Sequence, residues 1–480
     1  MKYNRLQLIL ILTIICSGCS PKPDCNRMAS VIEEEFNSGN FYRVLNLADS
    51  IKENCKADPV LITKADSLAD MAQRIKLDFT LSEEEAIKLM EARIGPFSME
   101  EKSAWEEKGW LEYRIIDGEK RYFNRTVSNL GLLKLFHEDK QGWLKENAVD
   151  PALVFRLRHT GDVIKSAENN NDPLVPVKMK VDYTLTVDAD AVPDGEVIRC
   201  WLPWPKSTHP RQKQVDLIDI SSHEFTFAPD TAIHGTIYME ATAIKGTPTV
   251  FKVSFRYQSS AAYFNPENIE PLPYDRYSRL HLKYTSEQPP QITFSDNLRK
   301  LTDSIAVNEE NPVIVVRKIY SWFKENIPWT GALEYSTMPD IPEYVIRNRR
   351  GDCGMQTFLF MSMLRYKGIP VRWQSGWMVP EIGKNLHDWC EIYYEGTGWI
   401  PEDISYDLQA SENTALKNFF MSGVDSYRMI LNEGIAGRLH PPKKFPRSEP
   451  YDFQRGEVEW SGGNLYFDRW DYSMKIEYLE

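Results

Sequence analysis

Cys353 is the first of three residues whose types and spacing could form a nucleophilic site. An apolar run, residues 355–364, follows it and predicts a helix that Gly368 ends. Cys353 therefore begins a helix, where unpaired backbone N–H groups favour thiolate over thiol. The small neighbours Gly351 and Gly354 leave room for a carbonyl group to approach the sulfur. The alternative is a buried core cysteine that merely begins a helix.

His387 and Asp403 are spaced to supply the other two groups. The chain alternates as a strand from His387, turns at residues 395–398, and returns as a strand that ends at Asp403. A loop of three or five residues centred on Glu395 would set His387 directly opposite Asp403 on one face of a hairpin. The carboxylate would then hold one ring nitrogen and leave the other to face the sulfur. Glu402 is the rival carboxylate, and the opposed geometry favours Asp403.

Three neighbouring side chains have structural roles in this interpretation. Asp352 and Asp388 adjoin Cys353 and His387 in the sequence, and we expect both to point away from them. Cys390 is three residues along the His387 strand, so we expect a core thiol on the opposite face. That expectation disfavours a zinc site that adds Cys390 to the other candidates. No calcium-loop pattern is present either, so the sequence predicts no metal.

Four motifs in this region together carry a family resemblance. They are GDCG before the apolar helix, GIPVRWQSGW after it, HDW at the start of a strand, and GWIPED at the end of the hairpin. The stretch 310–410 resembles the transglutaminase-like superfamily, whose core is papain-like. The resemblance implies Cys353 as nucleophile, His387 as general base and acid, and Asp403 as the orienting carboxylate, with no cofactor. The alternative is a degenerate, inactive copy of the fold.

An oxyanion hole for this chemistry needs two hydrogen-bond donors near the sulfur. The backbone N–H of Cys353 is the expected first donor. Trp329 follows a helix predicted to end near Asn326, and its indole N–H is the candidate for the second donor. The alternative role of Trp329 is packing in the cleft.

The charge balance excludes one class of partner. The 480 residues carry a net charge of −12, and the pI is near 5.4. A general binder of nucleic-acid backbones needs a basic face. We therefore expect no nucleic-acid partner, and the resemblance implies a peptide or protein substrate.

The first nineteen residues read as a targeting segment. Lys2 and Arg5 precede an apolar run, 6–15, that is too short to span a bilayer. Cys16-Ser17-Gly18-Cys19 then resembles a lipobox, with Cys19 as the lipidated residue. The sequence therefore predicts a lipid-anchored membrane protein of the cell envelope, at the outer membrane or periplasmic face. An ordinary secretory signal is the alternative.

The periodicity of the chain predicts a multidomain α+β protein. Residues 1–19 are the lipoprotein signal peptide and 20–170 a mostly helical region, broken at Asn37-Ser38-Gly39-Asn40. Residues 175–262 alternate as strands of a β-sandwich-like module. Residues 263–480 form a papain-like, transglutaminase-like catalytic domain with a C-terminal extension.

Several local signals sharpen this division. Ser82 and Glu85 form a capping box, and Asp117-Gly118 reads as a hairpin turn. Asn311-Pro312 begins a helix that runs to about Asn326. Cys25 and Cys55 are a possible disulfide pair in an oxidising compartment.

Two classes of function fit the sequence. The first is a cysteine enzyme of the cell envelope that acts on peptide or glutamine-type amide bonds through a thioester, by hydrolysis rather than crosslinking. The second is a non-catalytic envelope module that binds a peptide or glycan on the same scaffold.

Overall fold

The chain folds as a multidomain α+β protein, as the sequence predicts. The computed structural model describes residues 24–139, 150–169, 172–406 and 411–480. The predicted signal peptide, with Cys19, lies outside the described residues. Within the described ranges, every helix is too short or too polar to cross a membrane. The chain divides into one unit of Met1–Phe79 with Arg114–Arg121 and a second of Thr80–Tyr113 with Tyr122–Glu480.

The first unit is built on three helices joined by short loops. The first helix ends at Asn37 and Gly39 adopts a φ of 74°, so the predicted break is confirmed. Cys25 and Cys55 form a disulfide with an S–S distance of 2.11 Å. The helices are α1 (Cys25–Asn37), α2 (Phe41–Asn54) and α3 (Pro59–Asp78).

Helices and one hairpin follow in the sequence. The capping box of Ser82 and Glu85 is present. Asp117 and Gly118 have φ of 51° and 85°, which confirms the predicted hairpin turn. The elements are α4 (Glu83–Ile94), α5 (Met99–Glu107), β1 (Tyr113–Ile116), β2 (Glu119–Tyr122), α6 (Thr126–Glu138) and α7 (Pro151–Glu168).

Six strands come next, and the first and last of them alternate as the sequence predicts. Along the first of them the buried side chains are those of Met179, Val181, Tyr183, Leu185 and Val187. The strands are β3 (Leu174–Val187), β4 (Val197–Pro203), β5 (Gln212–Ile220), β6 (Phe225–Phe227), β7 (Thr236–Thr242) and β8 (Thr249–Tyr263).

The remaining elements carry the predicted site and the C-terminal strands. The helix with Asn311 as its N-cap ends at Asn326, as predicted. The helices are α8 (Arg279–Tyr284), α9 (Asp296–Ile305), α10 (Pro312–Asn326), α11 (Ile341–Asn348), α12 (Cys353–Tyr366) and α13 (Thr414–Lys417). The strands are β9 (Val371–Met378), β10 (Asn385–Tyr394), β11 (Gly398–Glu402), β12 (Gly423–Val424), β13 (Arg428–Asn432), β14 (Glu457–Trp460), β15 (Gly463–Leu465) and β16 (Trp470–Leu479).

Three sheets organise the second unit. The sheet of the predicted site has the strand order β11-β10-β9-β13. The module has one sheet ordered β12-β8-β3-β16, with β5 also paired to β8, and another ordered β15-β14-β4-β7-β6. Strands from the C-terminal extension therefore complete the module: β16 pairs along β3, and β14 pairs with β4.

One hydrophobic core joins the module to the sheet of the predicted site. Trp377 of β9 and Met429 of β13 pack in the same buried cluster as Met179, Leu185 and Phe255 of the module. The sheet that carries the candidate site is therefore backed by the module, and the positions of its strands are fixed by burial on both faces.

Candidate active site

Cys353 begins α12, as the sequence predicts. The helix is buried along nearly its whole length because its side chains are apolar on all faces. Asp352 is the N-cap, and its Oδ1 accepts a hydrogen bond from the Met355 N–H at 3.0 Å. The Cys353 side chain is half-buried. Its thiol donates to Oδ2 of Asp388 at 3.4 Å.

The protonation state of Cys353 departs from the expectation. The helix N-terminus was expected to favour thiolate, but the Asp352 carboxylate already occupies that position. Burial, followed by the charges of Asp388 and Asp352, raises the pKa of the Cys353 thiol well above its ordinary value. The expectation of a thiolate is therefore wrong for the free protein, in which the sulfur keeps its proton.

The hairpin that carries His387 has its loop centre one residue, and therefore its pairing register two residues, away from the prediction. Cys390 pairs with Glu402, and the three-residue loop is centred on Gly396 rather than on Glu395. Gly396 and the following Gly398 have φ of 85° and 99°, and this left-handed backbone places the turn. Continued by one residue, the register sets Asp403 diagonally from His387 on the same face, not directly opposite.

His387 and Asp403 nevertheless make contact. His387 Nε2 lies 2.7 Å from Asp403 Oδ2, and both side chains are buried. Arg428 Nη1 also lies 2.7 Å from this oxygen. The two groups form an ion pair, but the N–H is not aligned for a hydrogen bond. Burial alone would raise the pKa of Asp403, but the charges of His387 and Arg428 hold it well below its usual range. The carboxylate therefore stays ionised and fixes Nε2 of His387 as a donor, which leaves Nδ1 to accept a proton.

The second oxygen of Asp403 is also fully engaged. Its Oδ1 accepts hydrogen bonds from Ser405 N, Ser405 Oγ and Tyr406 N at 3.0 to 3.2 Å. Burial, followed by the Arg428 charge, lowers the pKa of His387, although Asp403 opposes that effect. His387 is therefore a neutral base at neutral pH, which is the state that can deprotonate a thiol.

Asp388 does not point away from the site, so that prediction is wrong. Its Oδ2 contacts the Cys353 thiol, and its Oδ1 accepts from Gln454 Nε2 at 2.8 Å. Between Cys353 and His387, both described, the structure shows no hydrogen bond. A Cβ on Gly354 would collide with the Tyr335 hydroxyl and lie 2.8 Å from Asp388 Oδ2. The space over Gly354 is thus filled by these two groups rather than left for a carbonyl.

The structure also places Cys390 and Trp329, the remaining side chains named in the prediction. Cys390 is buried on the opposite face, where its thiol donates to Oε2 of Glu402 at 3.1 Å, as expected for a core thiol. Trp329 is 43% exposed and forms a parallel bridge with Gly351, two residues before Cys353. Its role as an oxyanion donor stays a prediction. The described ranges contain no group of three or more His, Cys, Asp or Glu side chains that could hold a metal ion.

Comparisons with known proteins place this site in a family. The family model described as the transglutaminase-like superfamily matches residues 299–404, which include Cys353, His387 and Asp403. Residues 299–404 form a transglutaminase-like domain. The family supports a cysteine enzyme. The resemblance carried by the four sequence motifs is therefore confirmed.

Individual relatives are distant. The uncharacterized protein YebA of Bacillus subtilis is 22% identical over 156 residues, which are 26% of this chain and 21% of that protein. A candidate cysteine protease from Cytophaga hutchinsonii is 16% identical, with a TM-score of 0.42, over 63% of this chain and 90% of the other. The periplasmic domain of TgpA from Pseudomonas aeruginosa is 14% identical, with a TM-score of 0.28, over 50% and 91% of the two chains.

Three residues of the transglutaminase-like site or its surroundings escaped the sequence analysis: Arg428, Gln454 and Tyr335. Gln454 and Tyr335 carry no local signal, since nothing nearby in the sequence links them to the motifs. Arg428 has one: it is a charged residue inside the apolar strand β13. A charge at such a position needs a buried partner, but the sequence does not identify which carboxylates supply it.

A group of buried acids adjoins the transglutaminase-like site. Burial and the charge of Glu449 raise the pKa of Asp452 to about 8, against the opposing charge of Arg455. An acid with a raised folded pKa contributes stability that is complete below its unfolded pKa of about 4 and is lost as the pH rises through the folded value. We expect Asp452→Asn to flatten the fall in stability between pH 5 and 9, by up to about 1.4 kcal/mol per pH unit.

Thermal unfolding across that pH range checks the expectation. The natural protein should lose melting temperature faster than the Asp452→Asn variant as the pH rises. Parallel curves for the two proteins would show that Asp452 ionises as readily in the folded chain as in the unfolded one.

Proposed function

We propose that this chain is a cell-envelope cysteine acyl-transfer enzyme that acts on peptide or glutamine-type amide bonds through a thioester on Cys353. The observation that carries the proposal is the buried His387–Asp403 pair, 2.7 Å apart and held by Arg428, in a transglutaminase-like domain whose motif cysteine begins a helix. A pair of this kind serves to move a proton from a nucleophile to a leaving group.

The chemistry assigns one step to each group. The Cys353 thiol passes its proton to Nδ1 of His387, and the sulfur attacks the amide carbonyl carbon. As the C–N bond breaks, His387 returns the proton to the departing amine, and a thioester remains on the sulfur. Water or an amine then attacks the thioester carbonyl and releases the cysteine. Throughout, Asp403 holds the imidazole orientation and stabilises the imidazolium.

The oxyanion formed in the attack needs donors aimed at it. We assign the first to the backbone N–H of Cys353 and the second to the indole N–H of Trp329. The bridge of Trp329 to Gly351 and its half-exposed ring support a place beside the substrate. The resemblance to the transglutaminase-like superfamily favours water as the acceptor, hence hydrolysis over crosslinking, and a peptide or protein as the substrate.

The cell-envelope location rests on the sequence. Positive charge, a short apolar run and the Cys16-Ser17-Gly18-Cys19 motif support lipidation at Cys19 and a membrane held through that lipid. Mass spectrometry of the mature N-terminus tests this part by itself, since a diacylglycerol on Cys19 adds a fixed mass and an uncleaved or differently cleaved leader does not.

Trapping of the acyl group tests the enzyme proposal. The full chain is incubated with glutamine-containing peptides, quenched with acid, and digested for mass spectrometry. We expect an acyl adduct on Cys353, its loss on treatment with hydroxylamine, and its absence from Cys353→Ala. The ratio of free-acid product to amine adduct, measured with a primary amine present, reports hydrolysis against crosslinking.

The contact between Cys353 and Asp388 favours a second candidate, the non-catalytic binding module for a peptide or glycan. A sulfur whose hydrogen bond goes to a carboxylate, with its pKa raised, is a poor nucleophile in the free protein. Absence of any adduct on Cys353, together with peptide or glycan binding that Cys353→Ala leaves unchanged, would support the binding module and contradict the enzyme.

A further inference from the structure

Asp388 is part of a built arrangement around the sulfur. Its Oδ2 accepts from the Cys353 thiol at 3.4 Å, and its Oδ1 accepts from Gln454 Nε2 at 2.8 Å. Gln454 is itself held at both ends of its backbone: its N–H donates to Glu449 Oε2 at 2.7 Å and its C=O accepts from the Trp377 indole at 2.8 Å. Asp388 is 3% exposed, so its carboxylate is shielded from water.

Gln454 also ties Asp388 to the catalytic base. The same Nε2 that donates to Asp388 donates to the backbone carbonyl of His387 at 3.0 Å. One amide therefore holds both the Asp388 carboxylate and the backbone of His387. Gly354 lies next to the Asp388 oxygen and the Tyr335 hydroxyl. A side chain at this position would clash with both groups.

We propose that Asp388 is a positioning residue that holds the Cys353 nucleophile as a thiol in the free enzyme, and so sets the pH range over which the sulfur becomes reactive. The proposal rests on the proposed function and adds to it a residue that regulates the reactivity of the nucleophile. To react, the thiol proton must leave Asp388 and pass to Nδ1 of His387, with the Asp388 carboxylate unchanged in its own proton count.

The protonation state of Asp388 determines whether it favours or opposes ionisation of the Cys353 thiol. Burial, followed by the charges of Asp452 and Asp352, raises the pKa of Asp388 well above its usual range. Below that pKa, Asp388 is a neutral acid and its O–H can donate to the sulfur. Above it, Asp388 is an anion 3.4 Å from the sulfur and opposes thiolate formation. The titratable groups that face it from the elements packed around it are Cys353, Asp352, Tyr335, Glu449 and Asp452.

Alkylation measures this control without any substrate. Asp388→Asn keeps the size of the side chain, can accept from Gln454 and can donate to the sulfur, but carries no charge. Even with water-like screening, a unit charge at this distance shifts a pKa by about one unit. We therefore expect the apparent pKa of the Cys353 thiol, from the pH dependence of iodoacetamide alkylation between pH 5 and 10, to fall by about one unit or more.

The rate difference has a characteristic pH dependence. At pH values above the Asp388 pKa and below that of the thiol, Asp388→Asn should react about tenfold faster or more than the natural protein. At pH values where Asp388 is protonated, the two proteins should react at similar rates. Peptide mass spectrometry assigns the adduct, because Cys200 and Cys390 are also free thiols, although buried.

The same fold contains a matched control. Cys390, two residues from Asp388 on the same face of β10, forms a second carboxyl–thiol pair with Glu402 at 3.1 Å. Glu402→Gln should leave the alkylation profile of Cys353 unchanged. Melting temperatures identify variants that fold, and Asp388→Ser, which also removes the charge, replaces Asp388→Asn if the latter does not fold.

Two results bear on the inference and on the proposed function separately. An unchanged or higher thiol pKa in folded Asp388→Asn would overturn the control by Asp388, even if acyl trapping succeeds. A lowered thiol pKa would support the control, even if no amide substrate acylates Cys353 and the proposed function fails.

Discussion

Asp403→Asn should lower kcat/KM for an amide substrate by on the order of 10³–10⁴, with little loss of binding. Every group that contacts the Asp403 carboxylate is a donor: Ser405 and Tyr406 on Oδ1, His387 and Arg428 on Oδ2. An amide has only one acceptor oxygen. The variant must therefore present its NH₂ group to one of the two sets of donors.

The backbone donors determine which of the two sets of donors must face the NH₂ group. Oδ1 accepts from two backbone N–H groups and a hydroxyl, so the asparagine oxygen should stay there. The NH₂ group then faces His387, which must accept at Nε2 and carry its proton on Nδ1. A ring protonated at Nδ1 cannot take the proton of Cys353, so the base is lost while the fold is kept.

Steady-state kinetics with the peptide identified by acyl trapping measures this effect. Glu402→Gln is the matched control, because it makes the same acid-to-amide change at the adjacent buried carboxyl, which binds Cys390 on the other face. The control should retain kcat/KM within a few-fold. Equal losses in the two variants would show that Asp403 acts through burial alone and would remove it from the triad.

The parts of this site that the sequence predicts are those determined by short stretches of chain. The helix that begins at Cys353 and the hairpin from His387 to Asp403 each follow from local periodicity and turn residues. The hairpin register was missed by two residues because the loop is centred on Gly396, one residue after Glu395, where the left-handed backbone of Gly396 and Gly398 places the turn. The alternation of faces still keeps Asp403 and His387 together.

The parts that could not be predicted depend on contacts between distant segments. Arg428 and Gln454 reach the site from β13 and from the segment before β14, and no motif connects them to Asp403 or Asp388. Asp388 was expected to point away because strand alternation separates it from His387. The helix N-terminus approaches the face on which Asp388 lies, and only the packing of α12 on the sheet shows this.

In the β-sandwich-like module, too, contacts between distant segments could not be predicted from the sequence. Alternation predicts the strands of residues 175–262, but it says nothing of the strands that the C-terminal extension adds to them. The structure pairs β16 with β3 from Trp470 opposite Val187 to Leu479 opposite Lys178. The chain thus returns to the module after the catalytic sheet, and the core shared by module and sheet depends on that return.

Arg428→Met should lower the free energy of unfolding by about 3–5 kcal/mol at pH 7. Arg428 is fully buried between two carboxylates, with Nε 3.0 Å from Asp425 Oδ2 and Nη1 2.7 Å from Asp403 Oδ2. Its guanidinium also lies 4.3 Å from the centre of the Tyr406 ring. Methionine fills similar space but leaves two buried anions without their cation, which is the costly way to break a buried ion pair.

The loss of unfolding free energy in Arg428→Met should depend on pH and be larger at higher pH. Burial raises the pKa of Asp403 and of Asp425, but the Arg428 charge, with His387 for the former, outweighs it and lowers both. Acids with lowered folded pKa values contribute stability above their unfolded pKa of about 4, and that stability disappears as the pH falls. Arg428→Met removes this contribution. The difference between variant and natural protein should therefore be complete near neutral pH and shrink as the pH falls below about 4, through the lowered folded pKa values.

Urea unfolding at several pH values, followed by tryptophan fluorescence, measures the difference, and Arg365→Met is its control. Arg365 is also a buried arginine, but its partners are the carbonyls of Val371 and Ser286 rather than carboxylates. Its replacement should cost stability by an amount that does not change with pH in this range. A pH-independent loss for Arg428→Met as well would mean that Arg428 contributes packing and hydrogen bonds, and that Asp403 is kept ionised by His387 and the donors of Ser405 and Tyr406.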